Sequence, residues 1–85
     1  MNRKQRIEII ILKNFPEWKI NIEDNSIDHA GHNNFDGKQE THFKISLKPP
    51  IDIQQTKLSI HRKINDLLKA EFSNGLHSLE IIITN

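Results

Sequence analysis

Histidine carries most of the chemistry this chain has to offer, because the sequence holds five histidines and no cysteine. His61 lies in the stretch from Lys57 to Phe72, where Ile60, Ile64, Leu67, Leu68 and Phe72 recur at the spacing of one helix face. At about 100° per residue it falls beside Ile64, at the margin of that face. An imidazole there packs part of its ring and keeps one nitrogen outward. The residues fit a ligand and a backbone-bonded helix histidine equally well. A second source of nitrogen is Asp28-His29-Ala30-Gly31-His32, in the long stretch between Asp24 and Gln39. Two histidines three apart beside a glycine can face one metal, with Asp28 adding an oxygen. Two ligands alone make a weak site, and an isolated His-x-x-His reads more simply as a solvated polar loop. His61 is the candidate third group.

The other two histidines are expected to be bystanders. His42 shares a strand face with Lys44 and Ser46, opposite Phe43, and is expected to be exposed. His77 shares the inward face of the last strand with Leu79 and is expected to be a satisfied core histidine. Hydrolytic chemistry has no support: there is no Ser-centred elbow, no carboxylate pair in an evident cleft and no glycine-rich phosphate loop. The chain is not expected to be an enzyme.

Eighty-five residues, 35% hydrophobic and 27% charged, make a single domain over residues 1–85 with one modest core. A net charge of +1 is too small to name nucleic acid as a partner. Lys57, Arg62, Lys63 and Lys69 of the long helix, with Arg3, Lys4 and Arg6, are candidates for binding nucleic acid or a partner. A solvated face balanced by Asp66, Glu71 and Glu8 accounts for them more simply. The absence of cysteine excludes disulfides, thiolate catalysis and a self-sufficient iron–sulfur or zinc–thiolate site. The basic start is followed only by Ile7 to Leu12, interrupted by Glu8, which is too short for a signal peptide or a membrane span. A cytoplasmic protein, away from membranes, is expected.

The elements that must position these groups follow from periodicity and caps. Asn2 with Gln5 forms a capping pair, and Pro16 marks the end of a first helix from Asn2 to Asn14. Trp18 to Glu23, Thr41 to Lys48 and His77 to Thr84 alternate with period two and read as half-buried strands. Asn74-Gly75 closes the long helix, and there is room for a short helical turn around Ile51 to Gln55. The first two strands pair as a hairpin. The last two, joined by a crossover helix, run parallel. The expectation is an α+β domain: a mixed three-stranded sheet with helices on one face.

Taken together, the motifs resemble the BolA-like family over nearly the whole chain. The carriers are Ser26-Ile27-Asp28-His29-Ala30-Gly31-His32, Glu40-Thr41-His42-Phe43-Lys44-Ile45, His61-Arg62-Lys63-Ile64 with Leu67-Leu68 and Glu71, and Gly75-Leu76-His77-Ser78-Leu79. The resemblance implies a fold similar to the class II KH arrangement, in α-β-β-α-α-β order. It also implies a monothiol glutaredoxin as partner, with a [2Fe–2S] cluster bridging the pair. In such a pair the glutaredoxin cysteine and a glutathione thiol supply two ligands and the BolA-like chain the others. The helix histidine of the family's Arg-His-Arg motif corresponds to His61, and the loop histidine to His32, with His29 as the rival. Ile60 stands where the family usually has arginine, and Pro49 to Gln55 lacks the usual Phe-x-Gly pattern.

A chain without cysteine can offer a cluster only nitrogens, and ligation of one iron by two histidines has precedent in Rieske centres. Such a site is acid-labile, because imidazoles with an ordinary pKa of about 6.5 must be neutral to bind. The alternative that the resemblance raises is a DNA-binding regulator of transcription and stress response. KH domains grip the nucleic-acid backbone through a Gly-x-x-Gly loop, and no glycine lies between Pro49 and Phe72. Alone, the chain is expected to be a monomer or a weak homodimer.

Overall fold

In the computed structural model, which describes residues 1–26, 41–51 and 54–84, helix α1 (Arg3–Asn14) opens the chain. Its start is a complete capping box. The Gln5 amide donates to Asn2 Oδ1 at 2.8 Å, and the Asn2 amide donates to Gln5 Oε1 at 2.9 Å. Ile7 and Ile11 are buried and Phe15 follows them into the core, while Ile9 and Leu12 stay exposed. The three-isoleucine run therefore folds as a helix, its strand propensity overridden by the cap and by burial of one stripe. A tight turn, with Glu17 in the left-handed region at φ 71°, leads to the first strand.

The remaining elements are β1 (Lys19–Asp24), β2 (His42–Lys48), α2 (Lys57–Leu67), α3 (Lys69–Ser73) and β3 (Ser78–Ile83). The sheet order is β1-β2-β3. β1 and β2 are antiparallel, from Lys19 opposite Lys48 to Asp24 opposite Phe43. β2 and β3 are parallel, from His42 beside Ser78 to Leu47 beside Ile83. Phe43, Ile45 and Leu47 point into one core with Ile7, Ile11, Ile60, Ile64 and Leu68, so the helices cover a single face of the sheet. This is the mixed α+β arrangement expected from the sequence. α1 runs antiparallel to α2 and α3: its first turn meets Glu71, and Phe15 at its far end lies 5.0 Å beneath the Lys63 ammonium.

The long helix differs from expectation at Leu68. There the backbone opens to φ −100°, ψ 14°, so one stretch divides into α2 and the short α3. The Leu68 carbonyl accepts from both Glu71 (2.9 Å) and Phe72 (3.1 Å), which keeps the two segments joined by backbone hydrogen bonds. Leu68 itself is fully buried. Apolar periodicity does not register such a break, because the side chains on either side still reach the same core. The short turn expected around Ile51 to Gln55 includes residues 52 and 53, which lie outside the described residues.

Candidate functional site

The topology gathers several segments at one end of the sheet. β1 ends there, β2 begins there, and the parallel β3 must begin there too. Asn25 donates to the His42 carbonyl at 2.8 Å. Ser26, 1% exposed, then binds the two roots of the segment 27–40 together. Its hydroxyl accepts from the amides of Thr41 (2.8 Å) and His42 (3.1 Å) and donates to Asp24 Oδ1. Thr41 in turn receives β3, its carbonyl accepting from the amides of His77 (2.8 Å) and Ser78 (3.1 Å).

These bonds place two imidazoles side by side. The rings of His42 and His77 meet edge to face, with centroids 6.1 Å apart and an interplanar angle of 80°. His42 is half-buried, and its Nδ1 lies 2.9 Å from Thr41 Oγ1. His77 is exposed. Both expectations for these residues therefore need correction. His77 is not a core residue, because β3 begins one position later, at Ser78, and alternation governs side chains only within the ladder. His42 is half-buried and not exposed, because the first residue of a strand beside two chain crossings has neighbours that its face alone does not indicate. The parallel pairing, which requires both strands to start at the same end, was the sequence signal for this meeting.

His61 is half-buried on α2, at the margin of the buried face as its spacing implied. Its carbonyl accepts from Asn65 Nδ2 at 3.0 Å. Among the described residues its ring makes no hydrogen bond and lies against no other histidine. His29 and His32 lie in the segment 27–40, outside the described residues. Their segment leaves from Ser26 and returns at Thr41, next to His42 and His77. Among the described residues no three His, Asp or Glu side chains converge on a metal position. The donors these two rings could offer a metal are imidazole nitrogens.

Of the basic candidates, Lys57, Arg62, Lys63 and Lys69 are all exposed, and the Lys63 ammonium also lies 5.0 Å from the centre of the Phe15 ring. Glu71, expected to be a solvated balancing charge, is instead 7% exposed and holds two arginines. Arg3 Nε donates to Oε1 at 2.9 Å, Arg6 Nε to Oε2 at 2.8 Å and Arg6 Nη2 to Oε1 at 3.0 Å. The hydrogen bond from Arg6, supported by Arg3 and by the charges of both, holds the Glu71 carboxyl below its ordinary range against the opposing effect of burial. Arg3 Nη2 also caps the Asn74 carbonyl at 2.6 Å, and the Leu76 amide donates to the Glu71 carbonyl at 2.9 Å. This network fixes the turn that delivers His77. The sequence hid it, because pairing Arg3 with Glu71 requires knowing that α1 and α3 lie antiparallel.

Comparison with known proteins bears on the family and the fold. The BolA-like protein family model matches residues 11–84. An uncharacterized protein in the cobS 5′ region of Sinorhizobium is 32% identical, across 95% of this chain and 88% of its own length. SufE-like protein 1, chloroplastic/mitochondrial, of Arabidopsis thaliana is 33% identical, and this chain spans 23% of it. That organellar name gives no support to the cytoplasmic expectation. Among the described residues, no helix is long and apolar enough to cross a membrane. The solved BolA domain of SufE1 from Arabidopsis thaliana superposes with a TM-score of 0.81 and 32% identity, covering 99% of this chain and 92% of that one. This chain belongs to the BolA-like protein family.

Proposed function

We propose that this BolA-like chain is a non-enzymatic partner of a monothiol glutaredoxin and that the pair holds or transfers a bridging [2Fe–2S] cluster. The observation that carries the reading is the convergence of His42 and His77 at the roots of the segment bearing His29 and His32. Two imidazoles thus meet at one end of a chain that has no thiol of its own, where the segment carrying His29 and His32 in its sequence is rooted. The cysteine of the glutaredoxin and the thiol of glutathione complete the donor set, and this chain supplies nitrogen. Occurrence of a BolA domain within the larger SufE-like protein 1 supports a module that works joined to another protein's activity. His61 is the ligand implied by the family's helix motif, with His32 or His29 from the segment 27–40. His77 is the ligand favoured by position.

Visible circular dichroism of the protein mixed with cluster-loaded glutaredoxin and glutathione tests the reading. The parent is expected to convert the glutaredoxin spectrum into that of a heterocomplex. His77→Ala and His61→Ala, compared in the same titration, separate the two assignments: the ligand variant loses the heterocomplex spectrum and the other retains it. A parent protein that leaves the glutaredoxin spectrum unchanged would overturn the function. The DNA-binding reading lacks the Gly-x-x-Gly loop through which KH domains grip the nucleic-acid backbone, since no glycine lies between Pro49 and Phe72. A DNA affinity that falls steeply with salt and with charge reversal at Lys57, Arg62 and Lys69 would restore it.

A further inference from the structure

β3 closes the sheet on the side away from β1, and among the described residues no strand lies beyond it. The bonds from Ser78 to the Thr41 carbonyl and from Thr84 to the Leu47 carbonyl show which residues face β2. In a parallel ladder, alternate residues direct both backbone groups to the same neighbour. The even-numbered residues therefore bond to β2, and the amides and carbonyls of Leu79, Ile81 and Ile83 point out from the free edge.

The side chains make that edge unusually bare. Proteins blunt edge strands with lysines, prolines, bulges or inward charges. β1, the other edge, carries Lys19, Glu23 and Asp24. β3 has no lysine and no proline, and its one charge is Glu80. Leu79, Ile81 and Ile83 pack against the core but are only half-buried, so part of each remains open to whatever lies beside the strand.

We propose that this edge is a self-association surface, on which β3 of a second copy pairs antiparallel about a two-fold axis through Ile81. This register joins Leu79 to Ile83 of the second copy, Ile81 to its own symmetry mate, and Ile83 to Leu79 of the second copy. Each is a position whose amide and carbonyl already point outward, so every one of these groups finds a partner. On the solvent face Glu80 stands opposite Ile82 of the second copy. Moving the axis to Glu80 brings two carboxylates face to face, which is destabilising in a cross-strand pair. Moving it to Ile82 leaves Leu79 without an apolar mate in β3. Charge and hydrogen bonding thus select one symmetric arrangement, a six-stranded sheet across two chains with the helices of both on one face. A contact made by a single short strand lies at the small end of specific interfaces, so the dimer is weak and concentration-dependent.

Sedimentation equilibrium of the full chain, from low to high micromolar concentration, should show the mass rising from monomer toward twice that value. Ile81→Pro removes an outward amide without breaking the bonds to β2, and Ile83→Lys places a guarding cation on the edge. Both variants should stay monomeric over the same range, with the parent's far-ultraviolet circular dichroism confirming that they are folded. Should either fail to fold, single cysteines in this cysteine-free chain provide an independent reading. Under mild oxidation, Ile81→Cys should form covalent dimers faster than Ser46→Cys, which lies on the central strand. A parent that is monomeric throughout would overturn the proposal. So would folded variants that dimerise as the parent does, equal cross-linking at positions 46 and 81, or an edge engaged only when a different protein is added.

Discussion

Glu71 is the residue on which the local electrostatics turn, because one carboxylate satisfies two guanidiniums while nearly excluded from water. Removing its charge leaves Arg3 buried without its counter-ion, and Glu71→Gln is expected to cost about 3 kcal/mol, read from urea unfolding at neutral pH. The carboxyl is held below its ordinary value of 4.5, so its stabilisation is fully present above that value. It disappears as pH falls through the depressed folded value. The parent should therefore lose stability as pH drops below about 4.5, and Glu71→Gln should show a flatter profile there. At this scale the sequence was least informative. It placed His61 at the edge of a helix face correctly, yet took Glu71 for a surface charge and His77 for a core residue. Both depend on neighbours that are distant in the chain.

Elements were far more legible. The Asn2–Gln5 box, the alternation in three strands and the Asn74-Gly75 stop are local signals, and each marks an element boundary to within a residue or two. The break at Leu68 escaped because a change in ψ leaves the apolar pattern intact. Gly75 has a further role that spacing alone does not reveal. It sits at φ 119°, and a Cβ there would lie 3.2 Å from Arg3 Nη2. Gly75→Ala therefore combines backbone strain with a push on the Arg3–Glu71 network, and should lower stability by about 1–2 kcal/mol. Chemical denaturation should show a lower midpoint with an unchanged slope, since the compactness of neither state is altered.

The whole molecule has one core, and a small domain of this kind is held by only about 5 kcal/mol. Ile22, Ile45 and Ile81 form a row across the three strands, with Ile45 fully buried at its centre. Ile45→Ala is expected to cost about 3 kcal/mol, most of that margin, and to leave a shallow thermal transition well below the parent's. Strand order and the mixed pairing could be inferred before any coordinates, because a crossover helix forces the last two strands parallel. The meeting of His42 and His77 follows from the same rule, but needed the exact start of β3. Ser26 gives this architecture a different kind of freedom. Its hydroxyl closes the base of the segment 27–40 with bonds that owe nothing to what lies between the roots. Doubling the length of such an insertion costs only about 0.6 kcal/mol in closure entropy. Related chains can therefore lengthen, shorten or rewrite that segment, and exchange one donor residue for another, while inheriting the same folded frame.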